Sequence, residues 1–338
     1  MERFILSKDS VKDFLSVLQN YELVAPVAKD GVTVFEPITN PQEAVLDLLR
    51  QPHPPKRFIF PQTEVLFTFD KKDGIKEPKP RDGQKQRIIF GIRPCDARGL
   101  CIIDPVFEKE YADPYYLEKR QSTIFVGVQC SQPYPNCFCT SVGGNPSSSE
   151  GLDLLLFDLG ESYLFEVFTP KGEQIVKEAS SMLSAPSAEQ EKGKEDLQRE
   201  AEGKLRRSVN IDGISKKIEE YFEHSIWKEI AEKCISCGIC TFTCPTCHCF
   251  DIQDERVKGK GKRLRIWDSC MFSEYTLHAS GHNPRPTRAE RLRNRMHHKF
   301  KHTIDLQGVP GCVGCGRCIG LCPAHEDLIE NLQVLQSL

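Results

Sequence analysis

Apolar positions in the first half of the chain follow two periods. Val11, Phe14, Leu15 and Leu18 recur at helical spacing behind Ser10, with Asp13 three residues on, which predicts a short helix with a capping box. YELVAPV, a KDG turn and VTVFEPI predict a hairpin. Pro41 stands at the favoured first position of a second predicted helix, PQEAVLDLLR. Strand-like runs follow: EVLFTF, RIIFGI, STIFVGV, LDLLLF and YLFEVF, the last two flanking DLGES as another hairpin. Residues 1–180 therefore read as an α+β domain.

The pattern then changes. Residues 181–210 are polar and highly charged and read as a linker with an exposed helix. Ile214, Ile218, Tyr221 and Phe222 restore helical spacing, and few strand-like runs follow, so 211–338 reads as a second, mostly α-helical domain. A length of 338 residues agrees with roughly two domains at about 150 residues each. The formal net charge of -3 argues against a dedicated nucleic-acid binder. No apolar run is long enough for a membrane span, and MERFILSKDSVKDF lacks a signal-peptide layout, so a cytoplasmic location is expected.

The sixteen cysteines change the picture most. At this density in a reducing compartment they are expected to bind metal. Cys234, Cys237, Cys240 and Cys244 precede Pro245, and Cys312, Cys315, Cys318 and Cys322 precede Pro323, both as C-x2-C-x2-C-x3-C-P. This is the bacterial ferredoxin spacing for [4Fe–4S] clusters, in which the fourth cysteine ligates the other cluster. Cys234, Cys237, Cys240 and Cys322 are thus expected to hold cluster one, and Cys312, Cys315, Cys318 and Cys244 cluster two. Gly238 and Gly316 let the loops approach them. Structural zinc prefers two separated C-x2-C pairs and fits less well. Clusters ligated by four thiolates carry electrons and offer no open position for a substrate.

Cys95 follows the strand RIIFGI, Cys130 follows STIFVGV, and Cys137 and Cys139 lie in the next loop. Neighbouring strand ends would gather these four thiols, enough for a third [4Fe–4S] cluster, with Asp96 as an alternative or supporting ligand. The competing reading is a set of buried reduced cysteines, as Cys101 is expected to be. Cys247, His248, Cys249 and Cys270 lie near the first quartet; they read as packing or as an unusual metal site. His278 and His282 read as structural.

Basic stretches at 256–265 and 285–302 offer cluster electrostatics, subunit docking or nucleic-acid contact. There is no G-x-G-x-x-G after a strand and no Walker loop, so no flavin or nicotinamide is expected on this chain. Electron donor and acceptor are expected on partner subunits.

FPQTEVLF, IRPCDARGL, NCFCTSVGG, CISCGICTFTCPTCHCFD, RIWDSCMF, GHNPRP with ERLRNRMHHKF, and CVGCGRCIGLCP together resemble one family. It comprises iron–sulfur β subunits of cytoplasmic NiFe sulfhydrogenases, an iron–sulfur subunit of anaerobic sulfite reductase, and proteins associated with heterodisulfide reductase. The resemblance implies an N-terminal α+β domain followed by a helical, ferredoxin-like domain with two [4Fe–4S] clusters. It strengthens the third site at Cys95, Cys130, Cys137 and Cys139. It also implies a non-catalytic subunit that relays single electrons between a flavin/NAD(P) module and a catalytic subunit. The alternative is an iron–sulfur sensor or nucleic-acid regulator; an open-iron catalytic site in the first domain is a weaker third reading.

Overall fold

The structure is a computed structural model that describes residues 2–45, 51–70, 74–76 and 85–338. Its strands are β1 (Arg3–Ser7), β2 (Glu22–Lys29), β3 (Val32–Pro37), β4 (Thr63–Asp70), β5 (Gly74–Lys76), β6 (Arg87–Ile92), β7 (Thr123–Val128), β8 (Leu154–Asp158), β9 (Ser162–Val167), β10 (Phe250–Val257) and β11 (Lys260–Trp267). Among the described residues they form a seven-stranded sheet, β1-β9-β8-β7-β6-β2-β3, and a four-stranded one, β10-β11-β4-β5.

The centre of the large sheet, β2-β6-β7-β8, is parallel, and β3, β9 and β1 pair antiparallel at its sides. Side chains alternate across it. Ile88 and Phe90 of β6 pack with α1 (Val11–Val17) on one face. Ile89 and Ile92 pack on the other with α2 (Pro94–Glu108) and α3 (Pro114–Gln121). Covered on both faces, β6 and β7 are buried at every position, which is why they read as unbroken apolar runs. The helix α4 (Pro170–Glu178) returns to the first face through Ile175 and Val176. The N-terminal region is thus sheet-rich with helices, as expected, but its elements are layered around a parallel centre.

Local expectations fare unevenly. The β2–β3 hairpin turns through Asp30 and Gly31, both left-handed (φ 50 and 79), which suits the strand twist. β8 and β9 form the second hairpin. The helix α1 buries Val11, Phe14 and Leu15, but Ser10 ends a 3-10 turn (Lys8–Ser10) and its side chain caps nothing, so there is no capping box. The helix expected from Pro41 is a 3-10 turn, Pro41–Glu43, after which Ala44 bridges to Val27; residues 46–50 lie outside the described residues. The charged segment forms α5 (Ala188–Gly203), opened by a capping box of Ser187 and Gln190. It is docked rather than exposed: Lys194 is buried against Glu166 of β9, and Glu191 meets Arg3 at 2.6 Å.

The C-terminal part contains α6 (Ile214–Glu220), α7 (Ile226–Ile230), α8 (Ile239–Phe242), α9 (Arg288–His297), α10 (Thr303–Gln307), α11 (Arg317–Gly320) and α12 (Leu328–Ser337). A π-helical turn, His298–His302, joins α9 to α10. Ile218, Trp227, Met296, Phe300 and Leu332 fill their core. This part is less helical than expected, because β10 and β11 form a hairpin of eight-residue strands. β10 is exposed along its whole length, so its charged sequence hid the alternation. β11 pairs with β4, which therefore lies in the small sheet and joins the two ends of the chain. Among the described residues, no helix is long and apolar enough to cross a membrane.

Candidate metal centres

Parallel pairing of β6 with β7 sets their C-terminal ends side by side (Ile92 opposite Gly127). The chain leaves β6 into Arg93, Pro94 and Cys95, and leaves β7 into Gln129 and Cys130; Arg93 Nη1 donates to the Gln129 carbonyl at 2.8 Å. The next loop folds back so that Cys130, Cys137 and Cys139 are electrostatic neighbours, and Cys95 neighbours Cys130. The four thiols from the strand ends therefore share one region. Burial pushes Cys139 up to about 12 and Cys95 well above the ordinary thiol range. A thiol so placed stays protonated unless a metal takes the proton's place. Cys101 packs separately against Gly151 and Arg120.

This loop rests directly on the second ferredoxin-type loop. Phe138 N–H donates to Gly314 O at 2.8 Å, and the Cys137 thiol reaches Cys315 O at 3.5 Å. A Cβ on Gly314 would sit 2.6 Å from Cys139 Cα, and one on Gly316 2.2 Å from Asn136 O. Both glycines are left-handed (φ 63 and 65), so conformation and close approach each require glycine here.

Cys234, Cys237, Cys240 and Cys322 line one pocket, joined by Cys318, Arg295 and Glu326. Residues from the two quartets thus meet. Cys312 neighbours Cys318 and Cys244, the fourth cysteine of the first quartet. Burial raises Cys240 to about 11 and Cys312 to about 12. Pro245 seats the first loop on α2, where a Cβ on Gly99 would come within 2.7 Å of it. None of the sixteen cysteines forms a disulfide. Among the described residues, no three His, Cys, Asp or Glu side chains converge tightly enough for a single metal ion.

Buried cations surround the thiols. Arg295 is 4 % exposed, neighbours Cys240 and Cys318, and leaves Nε and Nη2 without hydrogen-bond partners. An unpartnered buried guanidinium calls for an anionic neighbour, and a cluster with four thiolates is one. The residues present therefore fit an iron–sulfur group. Lys299, in the π-helical turn, donates to Cys244 Sγ at 3.3 Å, Thr246 Oγ1 at 3.0 Å and Gly311 O at 2.8 Å. A hydrogen bond from the Cys247 thiol, with Lys299 and Lys56 beside it, holds Cys244 well below the usual thiol range. Arg317 is fully buried in a bidentate pair with Asp96, so Asp96 faces a cation between Cys95 and Cys315.

Arg295, Lys299 and Arg317 were not singled out by sequence. The signal was present for two of them: Arg291, Arg295 and Lys299 recur at four-residue spacing and so share one helical face. The basic stretch 285–302 turns much of its charge inward, and Arg293 stacks on Phe222 at 3.9 Å. In 256–265, Arg263 pairs with Asp254, Lys262 with Glu255, and Arg265 with Glu64 and Asp113. Arg256, Lys258 and Lys260 of this run and Arg288 of the other stay exposed. His278 and His282 share an exposed turn, with rings 5.3 Å apart and His278 N–H donating to His282 O at 2.8 Å. Cys247, Cys249 and Cys270 gather on a separate cavity with His248. There the hydrogen bond from Cys270 brings Cys249 down to about 6.

Residues 233–326 match the 4Fe–4S dicluster domain family. The chain is 33 % identical over 314 residues to sulfhydrogenase 2 subunit beta of Pyrococcus furiosus, covering 93 % of this chain and 91 % of that protein. No solved structure matches it significantly.

Proposed function

The chain belongs to the sulfhydrogenase subunit beta family, and from that membership we propose that it is the electron-relay component of a multisubunit cytoplasmic oxidoreductase. Cys234, Cys237, Cys240 and Cys322 would hold one [4Fe–4S] cluster, and Cys312, Cys315, Cys318 and Cys244 a second. Cys95, Cys130, Cys137 and Cys139 would hold a third. When bound, such clusters supply one-electron carriers whose thiolate ligands leave no open position. The division of labour would be an N-terminal unit to residue 180, a docked charged segment to 210, and a dicluster unit from 211 onward.

The chain's own residues supply the rest. Burial shields Cys137, Cys139, Cys244 and Cys312 from water, whereas Cys237 of the first quartet stays exposed. Arg295 and Lys299 offset negative charge, which favours the reduced state and so raises the potential. The observation that carries the proposal is the contiguity of the three cysteine groups: the 136–139 loop rests on the 314–316 loop, and the two quartets meet where Cys244 neighbours Cys312, and where Cys318 and Cys322 join the pocket of the first quartet. Electrons would run along that row, from a flavin/NAD(P)-binding partner at one end to a catalytic partner at the other. The relative's name makes a hydrogenase-type partner the first to seek, ahead of sulfite reductase or heterodisulfide reductase types.

Anaerobic affinity purification from the native host tests this. A flavoprotein and a catalytic partner should co-purify, with at least about twelve irons on this chain, the number that three [4Fe–4S] clusters require. Recovery of the chain alone with bound nucleic acid would overturn the relay and favour the regulator.

A further inference from the structure

Besides Cys101, three cysteines remain outside the clusters assigned above, and they share one wall. Cys249 enters β10 and Cys270 follows β11, so the hairpin register that pairs Phe250 with Trp267 also brings these cysteines together; Asp268 N–H donates to Cys249 O at 3.0 Å. Cys247 lies two residues before Cys249. All three line a cavity of about 110 Å³ with His248, His298, Arg295 and Lys299.

The charges there are not those of a packing cluster. Lys56 is 3 % exposed, donates to Cys247 O at 2.6 Å and lies over the Trp267 ring. Lys299 and Arg295 are as deeply buried, and two nitrogens of Arg295 lack partners. Arg295 and Lys299 also face the clusters assigned above, so Lys56, which neighbours Cys247 and Cys249, is the cation particular to this wall, and thiolates around an anionic inorganic core would offset it. His248 Nδ1 donates to Thr246 O at 3.2 Å, which fixes the ring and leaves Nε2 as its lone-pair nitrogen. This is the arrangement of a metal-ligating histidine. The side chains do not converge on one ion-sized point, and neither do the ferredoxin-type quartets.

We infer that Cys247, Cys249 and Cys270, with His248, hold a further iron–sulfur cluster at the cavity wall beside Cys244. The inference rests on the reading of this chain as a cluster-binding relay. Ligation by three thiolates and one imidazole leaves a less negative cluster than four thiolates, so its potential should be the highest of the set. It would branch from the row of three at Cys244, which the Cys247 thiol contacts.

The test is iron and acid-labile sulfide per chain in the complex purified anaerobically, for wild type, C249S/C270S and His248→Cys. The wild type should hold about sixteen irons in four [4Fe–4S] clusters, and C249S/C270S about twelve. The electron paramagnetic resonance signals of the other clusters should be unchanged in C249S/C270S. His248→Cys should keep the iron and shift one midpoint potential downward. About twelve irons in the wild type, or equal iron and sulfide in wild type and C249S/C270S, would show the three thiols to be packing. Should C249S/C270S fail to fold, the wild-type count alone decides. A wild type with no cluster iron would instead overturn the underlying relay.

Discussion

Arg317 and Asp96, 221 positions apart, form a bidentate ion pair in which the arginine side chain is fully buried and the aspartate 1 % exposed; Nη2 meets Oδ2 at 2.8 Å. The pair fastens the start of α2, one residue past Cys95, to α11, two residues past Cys315. Arg317 Nε also donates to Gln51 O at 2.9 Å. Asp96→Ala strands a buried guanidinium and should cost about 3–5 kcal/mol, as breaking a buried pair does. Replacing both partners with apolar residues (D96L/R317M) should restore much of that. Thermal melting of the three proteins under anaerobic conditions checks it; equal melting of Asp96→Ala and wild type would mean that the pair contributes nothing.

Cys137→Ala should remove the cluster at the strand ends and leave the ferredoxin-type pair. The expected loss is about four irons per chain with the remaining signals retained. Unchanged iron content and spectra would remove Cys137 from the ligand set.

Arg295→Met should lower the midpoint potentials of the adjacent clusters by roughly tens of millivolts, because it removes a buried positive charge that favours the reduced state. Arg295→Lys should recover part of the shift. A redox titration followed by electron paramagnetic resonance reads both, and potentials equal to wild type in Arg295→Met would assign the guanidinium to packing.

His297 is buried between the rings of Phe222 and Trp227. Burial lowers it to about 4, aided by His302, Arg293 and Lys301 and opposed by Glu219. Its folded-state value lies below the ordinary histidine value of about 6.5. Above that pH both states are neutral and stability is complete. As pH falls from about 6.5 to about 4 the unfolded chain binds the proton first, and stability declines. The melting temperature of His297→Phe should fall less over that window than that of wild type. Parallel curves would contradict this.

The parts read most easily from sequence were those set by local spacing. The quartets needed only short loops, and Cys95 and Cys130 needed only that two apolar runs be neighbouring parallel strands, which they are. Residues whose role comes from distant chain were hidden. Nothing local marks Arg317 as the partner of Asp96, or Lys194 as that of Glu166. The hairpin of β10 and β11 escaped because its exposed face is charged, and that hairpin is what gathers Cys249 with Cys270. Ser10 had the residue type of a cap, but a preceding 3-10 turn took its place in the geometry.

Under the proposed relay, electrons would cross this chain between two partners. The direct measurement is rapid-mixing spectroscopy of the purified complex, with reductant offered to the donor partner and the acceptor's redox state followed in time. Wild type should bleach the iron–sulfur absorbance and then reduce the acceptor. A complex carrying Cys315→Ser should assemble, let each partner react with artificial dyes, and fail to pass electrons between them. Transfer at the wild-type rate through that variant would contradict the relay.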